Sequence, residues 1–258
     1  EDLKGSTLVV GGDGRYGNIE AIEKIVQICI AHKVQKVIVP KYGLLSTPAT
    51  SHLIRKENAI GGIILSASHN PGGIDGDFGV KLNISNGGPA PEIITNKIFK
   101  ASQLLTSYKI CKIQLPDFSE YGTYPYDETT LEIIDGLTDY SNLMEKIFDF
   151  DQISDFLKKD FSLIFDAMNA VTGPYAKNIF VEKMGLAHDC VMNGNPLKDF
   201  GGLHPDPNLT YASHLADLLL NKKSYSFGAA CDGDGDRNMI LGSGCFVNPS
   251  DSLAVITA

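Results

Sequence analysis

Along this chain, short apolar runs alternate with longer segments in which apolar residues recur every three or four positions. That is the pattern of strands alternating with amphipathic helices. Residues 6–12 (STLVVGG), 36–40 (KVIVP), 61–67 (GGIILSA) and 78–83 (FGVKLN) are predicted as strands. Residues 18–33, 46–56 and 91–105 are predicted as helices, the second opened by a Ser-Thr-Pro start signal. The short link from Gly72 to Asp77 suits a tight antiparallel return, so the first sheet is expected to be mixed.

From 106 to 138 the periodicity fades among Pro116, Gly122, Pro125 and Gly136, and this stretch reads as a connector. The alternation then restarts. Strands are predicted at 161–167, 187–192, 225–231 and 237–243, and helices at 173–185 and 208–222. The fold class is therefore α/β, with two tandem α/β domains, each a mixed, mostly parallel sheet sandwiched by helices. The boundary falls near 138, giving domains at 1–138 and 139–258.

Composition agrees with this division, since 258 residues at 43% hydrophobic can build two cores. A net charge of −9 excludes a general nucleic-acid or anionic-membrane surface, so an anionic substrate needs a local cationic site. The five cysteines (29, 111, 190, 231 and 245) are scattered without a metal or redox spacing, and read as buried, reduced thiols of a cytoplasmic protein. Neither a membrane-spanning run nor a signal peptide is expected, which leaves the glycosylation-type matches at Asn83 and Asn208 idle.

Three stretches carry candidate chemistry. In GGDGRYG, Gly12, Gly14 and Gly17 have the spacing of a dinucleotide loop. The next strand ends on Lys41 instead of a ribose-binding acid, so a plain strand-to-helix turn is the better reading. In SASHNPGG, Ser68 stands at a strand end before a turn rich in Asn and Gly. The surroundings differ from a G-x-S-x-G elbow, and consecutive side chains of an extended segment diverge, so Ser68 and His69 form no dyad by adjacency. Two readings stay open for the hydroxyl: an ordinary turn residue, or a carrier of an anion held by backbone N–H groups. In CDGDGDRN, Asp232, Asp234 and Asp236 alternate with glycines and would converge on a hard divalent cation; a solvated acidic turn is the competing reading. An EF-hand is excluded, because Arg237 and Ser243 stand where that loop needs Gly and Glu. The stretch KDFGGLHPDPN reads as a rigid loop capped by Asn208, and His32, His52, His188 and His214 as structural or surface residues.

Together, SASHNPGG…GDFGVKLN, DFGGLHPDPNLTYA and CDGDGDRNM, with VVGGDGRY and LLSTPATSHLIRK, resemble the eukaryotic phosphoglucomutases of the α-D-phosphohexomutase superfamily over essentially the whole chain. The resemblance implies interconversion of glucose 1-phosphate and glucose 6-phosphate through glucose 1,6-bisphosphate, with hexose phosphates as partners and neither nucleic acid nor membrane. It implies a phosphorylated Ser68, and Mg²⁺ held by Asp232, Asp234 and Asp236 and by the phosphate on Ser68. Lys81 and His69 become acid/base candidates, and Arg237 a phosphate-region contact. Ser66 stands where the family commonly has Thr. Family members have four domains, and this chain resembles the first two, so the isolated fragment is expected to be inactive. A non-catalytic phosphoprotein of adhesion or secretion, or a mutase for another hexose phosphate, are the alternatives.

Overall fold

The structure is a computed structural model and describes residues 3–258. The chain divides into two compact units. Among the described residues, the first comprises 3–12, 17–65 and 80–136; the second comprises 13–16, 66–79 and 137–258. The short segment after the first strand and the whole serine loop thus group with the second unit.

The first unit holds a six-stranded sheet ordered β4-β3-β1-β2-β6-β5. Its central strands are β1 (Thr7–Gly12), β2 (Lys36–Pro40), β3 (Gly61–Leu65) and β6 (Thr129–Ile134), all parallel. Strands β4 (Val80–Ile84) and β5 (Gly122–Tyr126) run antiparallel at the two edges. Helices cover both faces, as expected where parallel strands are apolar on both sides. On one face, Ile22, Val26 and Cys29 of α1 (Asn18–Ala31) pack with Val10, Val37, Val39 and Leu65. On the other, Gly62 leaves room for Ile54 of α2 (Thr47–Lys56), whose start is fixed by Ser46 accepting the Ala49 N–H at 3.3 Å. Helix α3 (Glu92–Leu104) follows β4.

The segment 106–138 is more than a connector. It forms the β5–β6 hairpin, closed by Asp127 at a φ of 53°, and β6 pairs with β2. Pro125 lies in β5, an edge strand, where a missing N–H is tolerated but the strand pattern is spoiled.

The second unit holds a five-stranded sheet ordered β11-β10-β9-β7-β8. Strands β7 (Leu163–Asp166), β8 (Val191–Met192) and β9 (Phe227–Cys231) are parallel, and β10 (Asn238–Gly242) and β11 (Cys245–Val247) are added antiparallel. Its core gathers Ile164, Met168, Leu215, Leu219, Ala230, Met239 and Leu241. Two helices absent from the sequence expectation, α4 (Gly136–Ile147) and α5 (Phe150–Leu157), precede β7. The helix expected at 173–185 is α6 (Thr172–Ala176) continued by a π-helical turn over Lys177–Lys183. The one expected from 208 is shorter: Asn208 caps a turn, accepting from the N–H groups of Thr210 and Tyr211 at 2.9 Å each. Helix α7 (Ser213–Ala216) starts after it. Helix α8 (Pro249–Thr257) ends the chain.

All five cysteines are free, but only Cys29 and Cys190 are buried; Cys111 and Cys231 are half-buried and Cys245 is exposed. Among the described residues, no helix is long and apolar enough to cross a membrane.

Candidate active site

The second unit places its chemistry where loops leave the sheet. Strand β9 enters it apolar and its partner β10 leaves it, so the DGDGD turn is the hairpin loop between two paired strands. Asp232 and Asp234 are fully buried and Asp236 is exposed. One carboxylate oxygen from each lies within 4.8 Å of the others, a donor set that suits a hard, oxygen-seeking dication.

Asp232 is the hub. Its Oδ1 accepts the N–H groups of Asp236 at 3.1 Å and Arg237 at 3.0 Å. Its Oδ2 accepts the Ser68 hydroxyl at 2.6 Å and the Arg237 Nε–H at 3.2 Å. Burial, and after it the charge of Asp234, push the Asp232 carboxyl up to about 6 in the metal-free chain. A bound dication would remove both penalties, so the residues present fit such an ion.

Ser68 is 8% exposed, and its backbone is left-handed at a φ of 56°. That twist overturns the expectation that Ser68 and His69 diverge, because the segment is not extended there. Arg237 Nη2 donates to Ser68 Oγ and to His69 Nδ1, the latter at 2.6 Å, so hydroxyl, imidazole and guanidinium meet at one point. Gly233 permits the approach of the two loops: a Cβ there would stand 2.4 Å from the Ser68 carbonyl oxygen.

Of the residues singled out by sequence, the second unit brings together Ser68, His69, Asp232, Asp234, Asp236 and Arg237. Lys81 belongs to the first unit, half-buried on β4 opposite Ile64. GGDGR does make a plain turn, with Gly14 and Gly17 at positive φ, yet it also supplies a buried ion pair that sequence reasoning missed. Asp13 and Arg15 are each 1% exposed and are joined at 2.8 Å. The available signal was two opposite charges two positions apart at the end of an apolar strand. Ser66 was also passed over as a site: its hydroxyl donates to Asp13 Oδ2 at 2.6 Å and accepts the Ser68 N–H at 2.8 Å.

Comparisons with known proteins agree on one family. Residues 1–109 match the model of phosphoglucomutase/phosphomannomutase alpha/beta/alpha domain I, and residues 138–243 match that of domain II. The chain is 53% identical to a phosphoglucomutase of Aspergillus fumigatus over 258 residues, covering 99% of this chain and 46% of that protein. It is 52% identical to a chloroplastic phosphoglucomutase of Arabidopsis thaliana, covering 100% and 42%. Among solved structures it resembles the open form of the exocytosis-sensitive phosphoprotein pp63/parafusin (phosphoglucomutase) of Paramecium. The TM-score is 0.93 at 46% identity, over 99% of this chain and 49% of that one. The chain thus spans about half the length of the curated relatives it matches.

Proposed function

Because the chain belongs to the phosphoglucomutase/phosphomannomutase family, carrying its alpha/beta/alpha domains I and II, we propose that it supplies the phosphoryl-carrying and cation-binding half of a cytoplasmic phosphoglucomutase. In this reading residues 1–138 are domain I and 139–258 domain II. The observation that carries it is the Ser68 hydroxyl, held between Asp232 and Arg237 beside an acidic triplet able to hold a cation.

Asp232, Asp234 and Asp236, with the phosphate on Ser68, would hold Mg²⁺, which would supply neutralisation of charge on the transferring phosphoryl group. Ser68 passes its phosphoryl group to the 6-hydroxyl of glucose 1-phosphate. The Ser68 Oγ–P bond breaks, a bond from P to O6 forms, and the proton of that hydroxyl passes by way of a base to the departing Oγ. Glucose 1,6-bisphosphate then returns its 1-phosphoryl group to Ser68, whose hydroxyl proton reaches the departing O1, leaving glucose 6-phosphate.

Arg237 stays bonded to Oγ whether or not Ser68 is esterified, because it donates; the Ser68 donation to Asp232 ends on phosphorylation, which frees that carboxylate oxygen for the cation. Since arginine only donates, the lone pair of His69 Nδ1 is committed to it, and the ring carries its proton on Nε2. His69 and Lys81 are the two candidates for that acid/base role. The mass of Ser68-containing peptides tests this reading: protein isolated from cells is expected to carry phosphate on Ser68, and Ser68→Ala to abolish turnover without unfolding. Active protein that lacks the modification through the cycle would refute the phosphoserine route.

The likeness to pp63/parafusin favours a second reading, a phosphoprotein whose role is secretory. Phosphate on Ser68 without turnover of glucose, mannose or N-acetylglucosamine phosphates, in the longest natural polypeptide carrying these residues, would support it.

A further inference from the structure

Arg15 has the largest side chain among the fully buried ones of the described residues, and no step above uses it. A guanidinium taken out of water is tolerated only when its donors and faces are matched. Here they are. Nε donates to both oxygens of Asp13, at 3.1 and 3.0 Å, and Nη2 to Asp13 Oδ2 at 2.8 Å. Nη2 also donates to the Ser68 carbonyl at 3.0 Å, and Nη1 to the Asp77 carbonyl at 2.7 Å. The Phe200 ring lies beneath it, 5.2 Å from the guanidinium carbon. That ring also floors the serine loop, since a Cβ on Gly72 would fall 2.8 Å from it.

Two of these partners are the carbonyls near either end of the 66–79 loop. One rigid, planar fork thus closes the loop. At Ser68 the restraint is complete: Ser66 Oγ holds its N–H and Arg15 holds its C=O, while the residue occupies a left-handed conformation that a serine rarely adopts unaided. With both peptide groups fixed, the hydroxyl is directed at Asp232 and Arg237.

We propose that Arg15, oriented by Asp13 and backed by Phe200, is a positioning residue that holds Ser68 in its left-handed conformation and so aims the hydroxyl; the consequence for turnover rests on Ser68 being the phosphoryl carrier. Lysine keeps the charge but, as a single ammonium, cannot grip the carboxylate and two separated carbonyls at once.

The test compares Arg15→Lys, Ser66→Ala and Ser66→Thr with the parent, by hydrogen exchange and by turnover in the longest natural polypeptide carrying these residues. Arg15→Lys is expected to speed exchange of the 66–79 amides roughly tenfold or more while those of β7, β9 and β10 stay unchanged. It should lower kcat roughly a hundredfold with KM nearly unchanged, the signature of a misplaced reacting group. Ser66→Ala should move both readouts in the same direction, and Ser66→Thr, which keeps the hydroxyl, should restore them. Unchanged exchange at 66–79 would overturn the clamp, and faster exchange with kcat within about threefold of the parent would overturn its role in aiming Ser68. Should Arg15→Lys not fold, the Ser66 pair decides. A parent that turns over after Ser68→Ala refutes the carrier reading instead, and the exchange data then judge the clamp alone.

Discussion

Removing the cation should make the protein less stable as the pH rises, which is opposite to the usual behaviour of a paired carboxylate. In the chelated protein, burial and the neighbouring Asp234 raise the folded-state value of Asp232 from 3.8 to about 6. Between those values the folded chain keeps a proton that the unfolded chain has released. The native state therefore binds more protons, and its stability falls as pH rises through the window. At about 1.4 kcal/mol per unit, the loss is on the order of 3 kcal/mol, complete above about pH 6. Asp13 and Asp166 are also raised, chiefly by burial, and contribute with the same sign, so the measurement has to be a difference. Urea unfolding of the parent and of Asp232→Asn, in chelator at about pH 4.5 and about pH 7, isolates the Asp232 share. The parent should lose about 2 kcal/mol more than the variant across this interval, because part of the window lies below about pH 4.5. Asp234→Asn, which removes the second cause of the shift, should reduce the slope. Mg²⁺ should restore about 2.7 kcal/mol at a hundredfold excess over Kd near neutral pH, and less at acid pH, where it competes with the proton. A parent whose stability relative to Asp232→Asn is flat or rises towards neutral pH would refute the argument.

Gly233→Ala forces a Cβ to within 2.4 Å of the Ser68 carbonyl oxygen, backbone against side chain with no flexible end to yield. It should lower turnover roughly a hundredfold while circular dichroism stays native, and parent-like kcat would show that the two loops need not touch. The 258-residue chain used alone should bind Mg²⁺ by calorimetry, yet turn over glucose 1-phosphate more than tenfold slower than the longest natural polypeptide carrying it. The sequence holds three arginines, of which Arg15 and Arg237 are already bonded around Ser68, so it offers no arginine cluster for a second phosphate. A coupled assay decides this, and turnover within tenfold would place the substrate's distal contacts in this chain. Leu215→Ala, at a fully buried position in the second unit's core, should cost about 2–5 kcal/mol by urea unfolding; less than about 1 kcal/mol would mean that the core there collapses around the gap.

Local pattern made most elements legible. Ile22, Val26 and Cys29 recur at helical spacing and define α1, and VVGG and KVIVP are apolar on both faces, as central parallel strands must be. The β5–β6 hairpin was hidden because Pro125 and the aromatic residues of an edge strand break the alternation; only pairing with β2 makes β6 a member of the sheet. The acidic triplet could also be read directly, since three like charges separated by single glycines have few uses without a cation.

What the sequence by itself determined is therefore the α/β alternation, the acidic DGDGD loop and the serine turn, because each rests on neighbours a few positions apart. Only the tertiary structure decided the backbone twist at Ser68, the meeting of its hydroxyl with His69 and Arg237, and the burial and hydrogen bonds of Arg15. Those depend on partners 53 and 164 positions away, Arg15 and Asp232 acting on one serine. The physical reason is that a left-handed serine and a buried guanidinium are both unfavourable alone, and each becomes stable only when the folded chain closes hydrogen bonds around it.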